Sequence, residues 1–183
     1  MKIAILALQG AFEEHRQMLA DLGAEAYLVR NRTDWQQQKD GLIIPGGEST
    51  VMLKLLKDFE LLEPVRESIE KQQLPVFGTC AGLILLDEKH LGTMHIRAKR
   101  NAYGRQSGSF HTTGDFNGIE RPVSMTFIRA PYIEQVGEGV QVLSEVDGHI
   151  VAARQGNQLV TAFHPELTTD TSVHKYFLDM CVN

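Results

Sequence analysis

The chain has 183 residues, 43% of them apolar, with 18 Lys and Arg against 23 Asp and Glu and a formal charge of −5. An apolar fraction of this size fills one compact domain, which buries roughly 70% of the surface of its unfolded chain, and the mild negative charge without a basic block excludes nucleic acid as the main partner. Cys80 and Cys181 are too few for a disulfide scaffold, and the apolar run Ile3 to Leu8 is too short for a signal-peptide core or a membrane span, so a cytoplasmic protein acting on a small substrate is expected.

Short apolar runs alternate with helical patterns through the first half, the arrangement of parallel strands joined by crossover helices. Ile3 to Leu8 is the first strand, continuously apolar and so buried on both faces. Phe12, His15, Leu19 and Leu22 recur at spacings of three and four, which predicts one face of a helix ended by Gly23. Ala26 to Val29 and Leu42 to Ile44 are further strands. The latter runs into Pro45-Gly46-Gly47-Glu48-Ser49-Thr50, a turn opening a helix with Leu53, Leu56 and Phe59 on one side; Ser49 or Thr50 is expected to cap it. A helix from Leu62 to Gln72 turns Val65 and Ile69 inward and leads to a strand over Pro75 to Phe77, followed directly by Gly78-Thr79-Cys80-Ala81-Gly82.

The second half holds short extended stretches, Met94 to Lys99, Ser124 to Ile128, Val140 to Val146, His149 to Arg154 and Gln158 to Phe163, expected as antiparallel additions. Asp147-Gly148 and Gln155-Gly156-Asn157 favour hairpins, and a last helix turns Val173, Phe177 and Met180 or Cys181 inward. No repeat or linker divides the chain. Residues 1–183 are therefore expected to form a single α/β domain around a central, mostly parallel sheet with antiparallel additions in its C-terminal half.

A strand that ends in Gly-x-nucleophile-x-Gly and passes into a helix is a nucleophile elbow, and its central residue here is Cys80. A lone intracellular cysteine is ordinarily a small buried hydrophobe, but a thiol at a helix N-terminus meets the positive end of the dipole, which favours the thiolate. Cys181 has no such setting and is assigned to the core. A thiolate nucleophile needs a base and a group to orient it. His164-Pro165-Glu166 offers both, since residues two apart in an extended segment project to one side and the proline fixes a backbone angle. The N–H of Ala81 is one expected oxyanion donor, and a peptide N–H in Gly46-Gly47 the second. His15, His90, His95, His111, His149 and His174 make no metal-ligand pattern, so no metal is expected.

Leu8-Gln9-Gly10-Ala11, Gly46 to Thr50, Gly78 to Leu83, Arg100 to Gln106, Phe127 to Pro131 and Phe163 to Leu167 together resemble class I glutamine amidotransferases. Within them, the Arg100-to-Gln106 and Ile128-Arg129-Ala130-Pro131 segments resemble the glutaminase subunits of pyridoxal 5'-phosphate synthase. The resemblance implies a three-layer, flavodoxin-like fold and the triad Cys80, His164 and Glu166. It also implies an oxyanion hole at Gly47 and Ala81, and L-glutamine bound at Gly47, Glu48, Ser49, Arg100, Ile128 and Arg129. Glutamine carries an ammonium and a carboxylate, for which Glu48 and the arginines are suitable partners. Two departures stand out: the segment from Asp87 to Lys99 is shorter than that branch has, and Lys99 stands where an acid is expected.

The ammonia needs a destination, and the resemblance supplies one in an obligate synthase subunit that assembles pyridoxal 5'-phosphate, a product of the assembly and not a cofactor here; no cofactor is expected. Other stand-alone glutaminase subunits, cysteine hydrolases or redox sensors, and a non-catalytic interaction subunit are the alternatives. The Gly-Gly-Glu turn and Glu166 disfavour the hydrolase and sensor.

Overall fold

The computed structural model describes residues 1–100 and 108–183. The rest of the Arg100-to-Gln106 motif, Arg105 included, lies outside the described residues. The first half comprises β1 (Lys2–Leu6), α1 (Phe12–Asp21), β2 (Glu25–Val29), α2 (Arg32–Trp35), β3 (Gly41–Ile44), α3 (Ser49–Asp58), α4 (Leu62–Glu70), β4 (Val76–Thr79) and α5 (Ala81–Leu86). There follow β5 (Ile96–Lys99), β6 (Ser109–Phe116), β7 (Ile119–Ile128), β8 (Tyr132–Val136), β9 (Gln141–Val146), β10 (His149–Gln155), β11 (Gln158–Thr161), a 3-10 turn (Pro165–Leu167) and α6 (Ser172–Val182).

Among the described residues the main sheet has nine strands in the order β2-β1-β3-β4-β11-β10-β8-β5, with β9 also on β10. From β2 to β11 every pairing is parallel, and beyond β11 every pairing is antiparallel. The expected mostly parallel sheet with C-terminal antiparallel additions is therefore what the chain forms. One stretch plays a double part. Gln158 to Phe163, expected as an antiparallel addition, pairs antiparallel with β10 but parallel with β4, with Thr161 opposite Thr79. That register sets the residues after β11 beside those after β4.

The central apolar strands β1, β3 and β4 are buried on both faces because helices cover both, whereas β2 at the edge is only half-buried. Phe77 of β4 packs its ring 5.5 Å from His174 and 5.6 Å from Phe177, so α6 lies on that face, and His15 of α1 joins it edge-on at 6.2 Å. Gly78, next along the strand, points to the other face. There a Cβ would strike the backbone of Gly82 in α5, and a Cβ on Gly82 would strike the carbonyl of Ile44 in β3. Helix α5 thus lies on β3 and β4 at a distance that only side-chain-free residues allow.

A separate two-stranded ribbon, β6 paired antiparallel with β7, reaches the C-terminal end of the parallel strands, where Thr126 O accepts the backbone N–H of His164 at 2.8 Å. The sequence patterns miss β6, β8, α2 and the first half of β7. Among the described residues no helix is long and apolar enough to cross a membrane.

Candidate active site

Cys80 occupies the sharp junction between β4 and α5 with φ 50° and ψ −100°, a conformation a side chain adopts only under strain. Its N–H is tied to Thr161 O at 2.8 Å, which anchors the bend to β11. Gly78 and Gly82 contribute to this elbow through close approach to neighbouring backbone, and the left-handed backbone falls on the cysteine itself. The N–H of Ala81, at the start of α5, has no acceptor within the helix and points out of its N-terminus.

His164 follows β11 and is buried, beside Cys80 as the β4–β11 register requires. Its Nδ1 stands 2.6 Å from Glu166 Oε1, and Glu166 is buried as well. The backbone here is not the extended segment expected: Pro165–Leu167 form a 3-10 turn, and the turn curls Glu166 back under the imidazole. With Nδ1 engaged, Nε2 is the nitrogen left for the sulfur. Burial pushes the His164 imidazole down, but its hydrogen bonds to Cys80 and Glu166 and the charges of both outweigh that and raise it to about 10. A proton on this ring is therefore held between two acceptors.

The Gly46-Gly47 turn closes the third side. A Cβ at Gly46 would run into the His164 ring, and one at Gly47 into the Gln9 carboxamide. Its peptide geometry is held from the β1–α1 loop: Ala11 N donates to Gly46 O at 2.9 Å and Glu48 N donates to Gln9 Oε1 at 2.8 Å. Gly10, with φ 97°, permits this approach, since a Cβ there would overlap the Gly46 carbonyl. The cap of α3 is Glu48, not the expected Ser49 or Thr50; its carboxylate accepts from Thr50 N at 3.2 Å and Val51 N at 2.9 Å. The bond from Val51 N above all, with those from Thr50 and the charge of Arg100, holds the Glu48 carboxyl below its usual range against the opposing effect of desolvation. Ser49 and Thr50 instead accept from Arg100, at 2.5 Å to Ser49 Oγ and 3.2 Å to Thr50 Oγ1.

These groups enclose an open cavity of about 550 Å³, within the usual size of a small-molecule site. Gly47, Glu48, Ser49, Cys80, Ala81, Arg100, Ile128, Arg129 and His164 all line it. Glu166 stands behind His164, so the structure brings every sequence-predicted site residue to one place. Arg129, like Cys80, is held at positive φ, 43°, with its N–H on Gly108 O at 2.5 Å. Gly10, Ala11, Pro131 and Leu167 on the wall and Gln9 behind the turn belong to the motifs of the sequence but have no role assigned there, and Ile84 on the wall lies outside every one of those motifs.

Residues 5–183 match the SNO glutamine amidotransferase family. The chain belongs to this family. This SNO-family chain is 56% identical over 191 aligned residues to the pyridoxal 5'-phosphate synthase subunit PdxT of Streptococcus pneumoniae strain CGSP14, covering 99% of this chain and 97% of the relative. It is 55% identical to the protein of the same name from strain 70585, covering 99% and 98%. A solved glutamine amidotransferase superposes with a TM-score of 0.92 at 40% identity, covering 99% of each chain. A chain of the PurLQS structure from Thermotoga maritima shares the fold, with a TM-score of 0.70 at 14% identity over 97% of each chain. The class I amidotransferase fold expected from the sequence is the fold of this SNO-family member.

Proposed function

We propose that this chain, acting as one glutaminase domain over residues 1–183, hydrolyses L-glutamine to L-glutamate and ammonia and passes the ammonia to a synthase subunit that makes pyridoxal 5'-phosphate. Family membership supports the glutamine chemistry, and relatives matched over nearly the whole chain carry the name of a pyridoxal 5'-phosphate synthase subunit. The single observation that carries the mechanism is that strained Cys80 and His164 stand together on the wall of one cavity, with Glu166 2.6 Å behind the imidazole.

In the cycle, Cys80 Sγ attacks the side-chain carboxamide carbon of glutamine, and the N–H groups of Gly47 and Ala81 receive the charge that develops on oxygen. His164 gives its proton to the departing amine, the C–N bond breaks, and ammonia leaves with a thioester on Cys80. A water molecule, its proton taken by His164, then attacks the thioester; the C–S bond breaks and glutamate is released. Glu166 keeps Nδ1 of His164 protonated and the ring in place throughout. At the open end of the cavity the Arg100 and Arg129 guanidiniums take the α-carboxylate, Glu48 takes the ammonium, and Ile128 packs on the aliphatic stem. Both cysteines are free thiols, in keeping with a cytoplasmic enzyme.

Glutamate release is to be measured with and without the synthase subunit on the native chain and Cys80→Ala. Turnover in the complex that falls by about a thousandfold or more in Cys80→Ala is expected. Equal release by the two chains would defeat the mechanism, and activity restored only by a different synthase would change the acceptor.

A further inference from the structure

Behind the triad carboxylate lies a pair of imidazoles that the glutaminase chemistry leaves unused. His15 of α1 and His174 of α6 are fully buried, with His15 Nδ1 2.8 Å from His174 Nε2. The other nitrogen of His15, Nε2, stands 3.2 Å from Thr79 Oγ1 and 3.6 Å from Glu166 Oε2. Glu166 Oε1 takes the N–H of His164, but Oε2 is buried and has no hydrogen-bond partner among the described residues. Granted the triad proposed above, we infer that His15 is a positioning residue for glutamine hydrolysis. Its Nε2–H, shared between Thr79 Oγ1 and Glu166 Oε2, holds the carboxylate in line with His164, and His174 fixes the tautomer of His15 that does so.

Burial pushes His174 down to about 3, and burial with the neighbouring His174 and His164 holds His15 well below the usual histidine range. Both rings are therefore neutral near pH 7, each with one N–H to place. Suppose His174 donates from Nε2 to His15 Nδ1. His15 then carries its proton on Nε2, directed at the carboxylate, and His174 Nδ1, which has no partner among the described residues, is a bare lone pair. In the reverse arrangement the Nε2 lone pair of His15 faces carboxylate oxygen, and His174 is left with a buried N–H that finds no acceptor. Desolvation and charge both penalise that second state. Read in the favoured direction, N–H groups run from His174 to His15 to Glu166 on one side and from His164 to Glu166 on the other. The carboxylate is thus hydrogen-bonded to His164 through Oε1 and faces the His15 N–H 3.6 Å from Oε2, so a swing away from His164 forfeits the bond and the attraction of that second N–H together.

The test is glutamate release in the complex with the synthase subunit, for the native chain, His15→Leu, His15→Gln, Glu166→Gln and the His15→Leu/Glu166→Gln double variant. Leucine fills the volume without a donor, whereas glutamine sets an N–H near the Nε2 position. His15→Leu is expected to lower kcat by roughly tenfold to a hundredfold with KM within about twofold, and His15→Gln to recover most of the loss. Because His15 acts through the carboxylate, the double variant should be no slower than Glu166→Gln alone. Native kcat in His15→Leu, or a loss that multiplies with that of Glu166→Gln, overturns the inference. If His15→Leu does not fold, His174→Phe and His174→Gln carry the same comparison: phenylalanine lowers kcat several-fold and glutamine restores it, and equal kcat in the two overturns it. Native activity in Cys80→Ala or Glu166→Gln would instead bring down the triad, a result distinct from any seen at His15.

Discussion

Cys80 bears backbone strain at the nucleophile itself. A residue with a Cβ at φ 50° and ψ −100° costs on the order of 1–3 kcal/mol, recovered elsewhere in the fold. Glycine adopts that conformation freely, so Cys80→Gly is expected to be more stable than Cys80→Ala by about 1–2 kcal/mol while both lack activity. Denaturant midpoints of the two variants measure the difference, and equal midpoints would mean that the elbow relaxes when the sulfur is removed. At this scale much was legible: a cysteine between glycines after a strand, and a histidine two residues before a glutamate, are local patterns. His15 was visible only as one more inward position on a helical face. Its polar partners come from β4, α6 and the turn after β11, and a helical period carries no information about them.

The glycines beside Cys80 work at the scale of elements. Gly82 is where α5 meets β3, and a Cβ there would strike the Ile44 carbonyl, which belongs to a central strand and cannot step aside. Gly82→Ala is therefore expected to cost about 1–3 kcal/mol or more, as overpacking does, with the loss of stability read by calorimetry and accompanied by loss of glutaminase activity as the elbow shifts. A native melting temperature would place α5 farther from the sheet than described. Gly46→Ala separates packing from catalysis: its methyl meets the His164 ring, which can rotate, so the fold should survive while kcat falls by roughly tenfold or more. Native turnover in Gly46→Ala would show that His164 works from another position. Elements buried on both faces were legible because continuous apolar runs announce them. β6 was not, because its Ser-Phe-His-Thr-Thr-Gly-Asp-Phe sequence lies in a ribbon exposed on one side, and its inward face, Phe110 and Phe116, is interrupted by Thr112 and Gly114. Nor was the parallel pairing of β11 with β4, since β11 also forms the hairpin with β10 that its turn residues predict.

At the scale of the whole molecule, three buried imidazoles tie stability to pH from opposite sides. His15 and His174 have values lowered from 6.5, so below pH 6.5 the unfolded chain takes up protons that the folded chain refuses. Stability therefore falls as pH drops below 6.5, for His174 with a slope of about 1.4 kcal/mol per pH unit down to about 3, and His15 adds a loss of the same sign. His164 has the opposite sign: raised from 6.5 to about 10, it contributes stability that is full below pH 6.5 and is lost as pH rises through about 10. The acid-side effect is tied to global structure because α1 and α6 converge on the sheet from different parts of the chain, and neither His15 nor His174 is accessible without separating them, whereas His164 lines the cavity. Urea midpoints measured from pH 4 to pH 10 should thus rise to a maximum near neutrality and fall on both sides. His174→Phe should flatten the acid side by about one proton and leave the alkaline side unchanged, because it removes a ring that resists protonation and does not touch His164. An acid limb as steep in His174→Phe as in the native chain would mean that the ring is solvated before global unfolding, and that α6 opens from the sheet as a separate unit.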